Sequence, residues 1–384
     1  MKPPPGYLAA NDTRVCRLRK SLYGLKQAPR CWFAKLTTAL KEYGFVQSLS
    51  DYSLFVFDKG GIRINLLIYV DDMIVTSNSV EALTIFKAYL ASCIKMKDLG
   101  ALKYFLGIEV SRSSQGFYLS QHKYALEIIA DAGLLGCKPD SFPLEQNHNL
   151  ALSTSPLLSQ PEPYRRLIGR LIYLGATRPD LAYSVQFLAQ FMKTPREDHW
   201  EAAIRVVRYL KGNPGQGILL NAKSNFQLTG WCDSDHSGCR LTRRSVSGYF
   251  IQLGTSPVSW KTKKQKTVSM SSTEAQYRAM AYITKELIWL KIVLHDLGVS
   301  HTQSMRLYCD SKSAIHIATN PVFHERTKHI ENDCHFVRDE IQSRNLHLVH
   351  VQSNAQLADI FTKPLGRSSF QTFCDNLGIL DLHT

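Results

Sequence analysis

Two adjacent aspartates, Asp71 and Asp72, separate two runs of apolar residues that favour β-strands. The runs read INLLIYV and MIV, and each is apolar on both faces of a pleated strand. Two such runs joined by a short polar step predict a β-hairpin with the carboxylates at or near its tip. Because both faces are apolar, the hairpin is expected to be covered, and buried carboxylates are costly unless paired or bound to a metal.

Aspartate is also a common turn residue, so a purely structural role at the hairpin tip is the competing interpretation. A site for a divalent cation would resolve the cost of burial. Mg²⁺ takes oxygen ligands, and paired carboxylates can hold two ions for phosphoryl chemistry. From the residues alone, both interpretations stay open.

The chain of 384 residues is long enough for two or three domains, and its formal net charge is +14. A basic balance of this size favours a polyanionic partner such as nucleic acid over a merely solvated surface. No apolar run is long enough to predict a membrane span, and the first residues lack the layout of a secretory signal. The nine scattered cysteines indicate a reducing, intracellular setting, cytoplasmic or nuclear.

The pattern changes several times along the chain. Residues 1–110 mix strand-like and helical runs, and residues 138–163 hold five prolines, which is typical of a linker. An all-helical pattern follows from residue 164 to residue 211. From about residue 225 the pattern is strand, strand, strand, long helix, strand, helix, strand, helix, which predicts an independent α/β domain.

An ordered set of motifs carries a resemblance to a known family. The motifs are SLYGLKQAPRCWFAKL (residues 21–36), YVDD (69–72), LGALKYFLGIEV (99–110), RTKHI (326–330) and LADIFTKPL (357–365). In this order they resemble the Pol polyprotein of copia-type retrotransposons over nearly the whole chain.

The resemblance implies that Asp71 and Asp72 are metal-binding carboxylates of a reverse-transcriptase palm. Residues implied to seat the template and the incoming nucleotide are Gly24, Lys26, Gln27 and Pro29. Phe105 and Gly107 resemble the family's primer-gripping hairpin. Members of the family need another metal-binding aspartate on an earlier strand, which this sequence does not contain, so we expect a truncated palm with little or no polymerase activity.

Three aspartates further along resemble the catalytic carboxylates of the family's RNase H domain. Asp233 and Asp310 each follow or end a predicted strand, and Asp359 lies at a predicted helix start. Taken singly, each is better explained as a loop cap. Acids at such positions can nevertheless converge on a metal although they are far apart in sequence. By the same resemblance, Asp235 is a loop residue.

The fourth position of that site falls in the long helix, in the stretch STEAQY. The helical phase places residue 276 on the face against the sheet and Glu274 on the solvent side, where Ser271 and Glu274 fit a capping box. Position 276 is glutamine where the family has glutamate. An amide ligates a cation weakly, so the resemblance implies an impaired RNase H site.

No acidic residue occurs from His236 to Thr273, a stretch rich in lysine and arginine. On two adjacent strands these side chains would form a basic rim for the phosphates of an RNA/DNA hybrid. A solvated basic face is the alternative. The candidate contacts are Arg243, Arg244, Lys261, Lys263 and Lys264.

A cluster at residues 324–335, with His324, His329, Cys334 and His335, invites a zinc interpretation. Its spacing matches no paired Cys/His framework, so we do not expect zinc there.

The sequence predicts an α+β palm and thumb remnant, then a helical connection and an α/β RNase H-like domain with a mixed sheet. The predicted bounds are 1–110 for the palm, 111–163 for a thumb-like segment and linker, 164–222 for the connection and 223–384 for the RNase H-like domain. The expected chemistry is two-metal phosphodiester hydrolysis with Mg²⁺ (or Mn²⁺). The expected partners are an RNA/DNA hybrid or template–primer and the remainder of the Pol polyprotein, with no membrane. The alternatives are a non-catalytic nucleic-acid-binding relic and an unstable fragment.

Overall fold

The computed structural model describes residues 3–7, 12–19, 22, 24–320 and 331–381. The chain forms two compact units, Met1–Ala101 and Leu102–Thr384. Among the helices in the described ranges, none is both long enough and apolar enough to cross a membrane.

The first unit is an antiparallel sheet packed against two helices. Its elements are α1 (Ala28–Tyr43), β1 (Val46–Gln47), β2 (Leu54–Lys59), β3 (Ile62–Tyr69), β4 (Asp72–Ser77) and α2 (Val80–Cys93). The strands lie side by side in chain order. Along β3, Ile64, Leu66 and Ile68 are buried and pack with Leu40 of α1 and Phe86 of α2. Each such buried side chain contributes about 1.5–3 kcal/mol, so one face of the hairpin holds the unit together.

The second unit contains all remaining elements. Its strands are β5 (Tyr104–Phe105), β6 (Ile108–Ser113), β7 (Gly116–Ser120), β8 (Gln216–Asn221), β9 (Leu228–Asp235), β10 (Val246–Leu253), β11 (Ser256–Lys264), β12 (Met305–Cys309), β13 (Leu346–His350) and β14 (Ile379–Asp381). Its α-helices are α3 (His122–Asp131), α4 (Glu162–Leu174), α5 (Ala182–Ala189), α6 (Glu197–Gly212), α7 (Ser272–Asp296), α8 (Lys312–Thr319), α9 (Glu331–Gln342) and α10 (Arg367–Asn376).

A mixed five-stranded sheet forms the centre of the second unit, in the order β11-β10-β9-β12-β13. Strands β9, β10 and β11 form an antiparallel meander, whereas β12 pairs in parallel with both β9 and β13. Helix α7 packs on one face through Ile283 and Leu287. On the other face, Phe250 shares a core with residues of α4, α5 and α6. The α/β fold with a mixed sheet that the sequence predicts is confirmed.

A second, antiparallel sheet has the order β14-β8-β7-β6-β5 and gathers strands from distant parts of the chain. The hydroxyl of Tyr118 in β7 lies 2.7 Å from the carbonyl oxygens of both Gly215 and Leu380. Strand β6 runs across residue 110, where the sequence analysis ends the palm, and the division between the compact units lies after Ala101.

The proline-rich stretch of residues 138–163 lies within the second unit. Phe142, Leu150 and Leu158 pack against the core formed by α3 to α6, and Glu145 lies 2.8 Å from Arg205. The stretch therefore connects parts of one compact unit, because several of its apolar side chains are partly buried against that core.

A buried ion pair fixes the end of the helical section. The guanidinium of Arg178 is fully buried and lies 2.7 Å from Asp180 Oδ2, which also accepts a hydrogen bond from the Tyr209 hydroxyl at 2.8 Å. Arg178 also donates to the carbonyl oxygen of Asn213 at 2.8 Å. One guanidinium thus ties the turn before α5 to the C-terminal end of α6.

Candidate active site

Strand β9 and the short 3-10 helix Leu357–Phe361 bring Asp233 and Asp359 together. Asp233 is paired across the sheet with Gly248 of β10. A Cβ atom at Gly248 would lie 2.7 Å from Phe361 Cβ and 2.7 Å from Thr362 Cγ2. Glycine at this position therefore allows the segment that carries Asp359 to pack directly on the strand beside Asp233.

Two residues that the sequence analysis missed link these carboxylates. The hydroxyl of Thr362 donates a hydrogen bond to Asp233 Oδ2. The ammonium of Lys363 lies 3.1 Å from Asp359 Oδ1 and 3.6 Å from Asp233 Oδ2. The signal was present in the sequence, because threonine and lysine follow Asp359 within four residues in LADIFTKPL.

Burial and mutual repulsion change the pKa values at this site. Burial, followed by the charge of Asp233, raises the pKa of Asp359 to about 7, although Lys363 opposes the shift. Burial and the charge of Asp233 also raise the pKa of Asp235. Burial disfavours the ammonium of Lys363, but Asp233, Asp359 and Asp310 together raise its pKa above the ordinary lysine value. Asp233 and Asp359 therefore both form ion pairs with one ammonium group.

Gln276 meets Asp310 on the other side of β9. Its amide nitrogen donates to Asp310 Oδ1 at 3.2 Å and to the carbonyl oxygen of Cys232 at 3.2 Å. Ser353 Oγ donates to the other oxygen of Asp310 at 3.0 Å. The predicted inward orientation of residue 276 is confirmed, and its amide presents N–H groups to the carboxylate.

The solvent-side position expected for Glu274 is wrong. The Ser271 hydroxyl accepts the predicted bond from the Glu274 N–H at 3.1 Å, but the Glu274 side chain is buried. Its carboxylate accepts from the Met270 N–H at 2.8 Å and pairs with Arg278 at 2.8 Å. The carboxylate is buried because the loop before α7 folds over it, which helical phase alone does not reveal.

As placed here, the described residues contain no group of three or more His, Cys, Asp or Glu side chains able to hold one metal ion. The donor chemistry nevertheless fits a hard divalent cation, since Asp233, Asp310 and Asp359 offer carboxylate oxygens. Asp359 Oδ1 is buried without a well-formed hydrogen bond, and its nearby positive charge is the ammonium of Lys363. The residues therefore fit such a cation if Lys363 moves.

In the first unit, Asp71 and Asp72 occupy the tip of the predicted hairpin. Tyr69 pairs with Asp72, so Val70 and Asp71 form the two-residue turn, and Val70 has a φ of 51°. Both carboxylates are exposed, so the expected burial is wrong. The tip extends beyond the buried face of β3, so its side chains are exposed to solvent.

The other predicted contacts of the polymerase region also lie at the surface. Gly24, with a φ of 87°, and Lys26 precede α1, Gln27 is its N-cap, and Pro29 lies in its first turn. All four are exposed.

In the second unit, strands β5 and β6 form the predicted hairpin. Phe105 pairs with Ile108 across a turn of Leu106 and Gly107, whose φ is 75°.

The basic residues do not form one rim on two adjacent strands. Arg243 and Arg244 lie in the connection between β9 and β10, whereas Lys261 and Lys263 lie on β11, and all four are exposed. Lys264 is engaged instead with Gln190 Oε1 at 2.5 Å and Cys239 Sγ at 3.2 Å. The strand pattern breaks before Val246, so the arginines project from a loop.

The structure describes part of the predicted zinc cluster. His324 and His329, with the RTKHI motif, lie outside the described residues. Cys334 is buried, and His335 is near Glu331 at 3.9 Å.

Comparisons with known proteins identify relatives of this chain. The family described as reverse transcriptase (RNA-dependent DNA polymerase) matches residues 1–146. The retrovirus-related Pol polyprotein from transposon RE2 of Arabidopsis thaliana is 44% identical over 99% of this chain and 26% of its own length. The putative transposon Ty5-1 protein of Saccharomyces cerevisiae is 34% identical over 72% of this chain and 91% of its own length.

Among solved structures, the foamy viral protease-reverse transcriptase in complex with RNA/DNA hybrid is similar with a TM-score of 0.48. It is 12% identical, over 90% of this chain and 40% of that one. The chain spans about a quarter of the length of the Pol polyproteins that it matches.

Proposed function

Because the chain belongs to the copia-type Pol polyproteins of retrotransposons, we propose that its second unit hydrolyses the RNA strand of an RNA/DNA hybrid, at a reduced rate. The observation that carries the proposal is the contact of Asp233 and Asp359 with one ammonium group, that of Lys363, with Asp310 directly after the strand that pairs with β9. Asp310 follows β12, which pairs in parallel with β9, so the three acids lie toward one end of the mixed sheet. If each aspartate only capped its own loop, there would be no reason for all three to share this location.

Folds of the reverse transcriptase and RNase H-like classes generally use divalent metal ions. The ion proposed here is Mg²⁺, which Mn²⁺ can replace, held by Asp233, Asp310 and Asp359. When bound, such ions activate a water molecule and stabilise the leaving oxygen. The chain's own residues hold the carboxylates in place, since Thr362 fixes Asp233 and Ser353 fixes Asp310.

The reduced rate follows from Gln276. A carboxylate at this position would add a negative oxygen ligand, whereas the amide donates its N–H groups to Asp310 and Cys232. Asp310 Oδ1 therefore shares its lone pairs with an N–H donor, and the site carries one negative charge fewer than it would with glutamate.

The test is a cleavage assay with a labelled RNA/DNA hybrid in Mg²⁺ and in Mn²⁺. We expect slow cleavage by the wild type, loss of cleavage in Asp233→Asn, and faster cleavage in Gln276→Glu. A wild type as fast as Gln276→Glu would contradict the impairment. Cleavage that persists in Asp233→Asn would contradict the site.

A second candidate function is non-catalytic binding of nucleic acid. It is favoured by the N–H groups that Gln276 turns toward Asp310, and by the exposure of Arg243, Arg244, Lys261 and Lys263. Each phosphate contact contributes about 0.9 to the slope of log affinity against log salt on a duplex. We expect Arg243→Ala/Arg244→Ala to lower that slope by about 2 for the hybrid, while Lys138→Ala, outside the loop and strand, leaves it unchanged.

For the first unit, the proposal is that Asp71 and Asp72 are metal ligands of a polymerase palm, with Gly24, Lys26 and Gln27 toward the template and nucleotide. No group of three metal-ligating side chains among the described residues includes this pair. We therefore expect little or no polymerisation by the chain alone. Template-primed incorporation of nucleotides that is abolished by Asp71→Asn would contradict this expectation.

The remainder of a Pol polyprotein is the proposed partner, since the relatives are longer.

A further inference from the structure

The backbone on both sides of Lys363 is held firmly against the mixed sheet. The carbonyl oxygen of Phe361 accepts a hydrogen bond from Thr262 Oγ1 of β11 at 2.8 Å. The Lys363 N–H donates to the Asp359 carbonyl oxygen at 3.2 Å, and Thr362 is fully buried. The segment of residues 359–363 therefore has a fixed path across β10 and β11.

The side chain of Lys363 is less confined than its backbone. It is 40% exposed, and lysine has a flexible four-carbon stem. Its ammonium bridges the two carboxylates, at 3.1 Å from Asp359 and 3.6 Å from Asp233. The ammonium can therefore turn outward into solvent without movement of the strand or the 3-10 helix.

Asp233 and Asp359 both lie within 3.6 Å of the same ammonium nitrogen. Two carboxylates so placed repel one another unless a positive charge lies between them. In the described structure, the ammonium of Lys363 supplies that charge. A divalent cation bound by the same two carboxylates would need the same space and would meet the repulsion of a neighbouring positive charge.

We propose that Lys363 is a built-in counter-ion of this site, whose ammonium a divalent cation must displace from between Asp233 and Asp359. The inference rests on the metal-dependent function proposed above. Lys363 is then a positioning residue that sets the affinity for metal. It holds the carboxylates together before the ion binds, and it weakens binding of the ion.

The experiment is a calorimetric titration of Mn²⁺ into the full chain without nucleic acid. Asp359→Asn identifies the heat that belongs to other carboxylates, including Asp71 and Asp72. We expect Lys363→Met to bind Mn²⁺ roughly fivefold more tightly than the wild type, because two partly exposed ion pairs no longer oppose the ion. Lys363→Arg keeps the charge and should bind as weakly as the wild type.

Lys312→Met is the matched control, since Lys312 is an exposed lysine two residues after Asp310 and outside the segment that carries Asp359. It should change the affinity less than twofold. Thermal unfolding gives a second readout. Lys363→Met should melt below the wild type in EDTA and regain the difference in saturating Mn²⁺, whereas a purely structural lysine would leave a constant difference.

Equal or weaker Mn²⁺ binding by Lys363→Met, with binding by the wild type intact, would overturn the role of the lysine and leave the proposed function standing. The same effect in Lys312→Met would also overturn it, because it would show a general effect of charge. Absence of Mn²⁺ binding at the Asp359 site in every variant would overturn both the lysine's role and the metal-dependent function.

Discussion

Gln276 is buried between the carboxylate of Asp310 and the carbonyl oxygen of Cys232, and its amide donates to both. In Gln276→Glu these donated bonds are lost and a second carboxylate is buried beside the first. We expect the metal-free variant to lose about 1–3 kcal/mol of unfolding free energy. Thermal denaturation in EDTA measures the loss, and millimolar Mg²⁺ should reverse part of it.

Gln276→Met is the control for this prediction, because it removes the hydrogen bonds without adding charge. Its loss of stability should not respond to Mg²⁺. A Gln276→Glu variant as stable as the wild type in EDTA would show that Asp310 and residue 276 do not interact.

At the residue scale, sequence reasoning succeeded where local periodicity decides the answer. Helical phase placed residue 276 toward the sheet correctly. Helical phase failed for Glu274, because the loop before α7 covers that side chain. The expectation that Asp71 is buried was wrong, because a hairpin tip is exposed even when its strands are apolar. The contact of Lys363 with Asp359, four residues before it, has a local signal in LADIFTKPL, but its contact with Asp233, 130 residues before it, has none.

At the scale of single elements, the start of α6 depends on a neutral histidine. His199 Nδ1 accepts from the Arg196 N–H at 3.0 Å, and Nε2 lies 2.9 Å from the Leu150 carbonyl oxygen. Burial is the main cause that lowers the pKa of His199. Below about pH 6.5 an unfolded histidine binds a proton that the folded one does not. The contribution of neutral His199 to the unfolding free energy is therefore fully present above that pH and is lost as the pH falls.

We expect the slope of unfolding free energy against pH, below about pH 6.5, to decrease by at most about 1.4 kcal/mol per pH unit in His199→Asn. Urea denaturation at a series of pH values measures it. His295→Asn is the control, since the side chain of His295 is 81% exposed. Part of the slope should remain in His199→Asn, because burial also lowers the pKa values of His148 and His301. An unchanged slope in His199→Asn would contradict the prediction.

The turn before α5 depends on the ion pair of Arg178 and Asp180. Removing one partner of a buried pair leaves the other charge uncompensated, so Asp180→Asn should cost about 3 kcal/mol or more. Tyr209→Phe, which removes one hydrogen bond to Asp180, should cost about 1 kcal/mol. The midpoint of urea denaturation reports both changes, and a loss below 1 kcal/mol in Asp180→Asn would refute the role of the pair.

Among the elements, the sequence predicted the hairpin of β3 and β4, the helices after residue 164 and the order of strands from β9 onward. These follow from apolar periods of two and of about 3.6 residues. The packing of residues 138–163 was not predicted, since prolines interrupt long helices and strands but do not exclude packing through partly buried side chains such as Phe142 and Leu150.

At the scale of the whole molecule, the two compact units divide after Ala101. The residues around this division have no regular structure and are mostly exposed, and they include Lys97 and Lys103. We expect limited trypsin digestion of the native chain to cleave first at residues 95–103. Mass spectrometry of early fragments checks this, and the triple replacement of Lys95, Lys97 and Lys103 by glutamine should slow it. Earlier cleavage within residues 138–163 would contradict the compact packing of that stretch.

The antiparallel sheet of the second unit has a consequence for how the chain is made. Strand β8 pairs with β7 about 100 residues before it and with β14 about 160 residues after it. During synthesis, one edge of β8 therefore stays unpaired until Ile379–Asp381 has been translated, and unpaired strand edges favour aggregation. The first unit is built from neighbouring hairpins and can form early. Speed of elongation and chaperones that bind exposed strands should therefore affect the yield of the second unit more than that of the first.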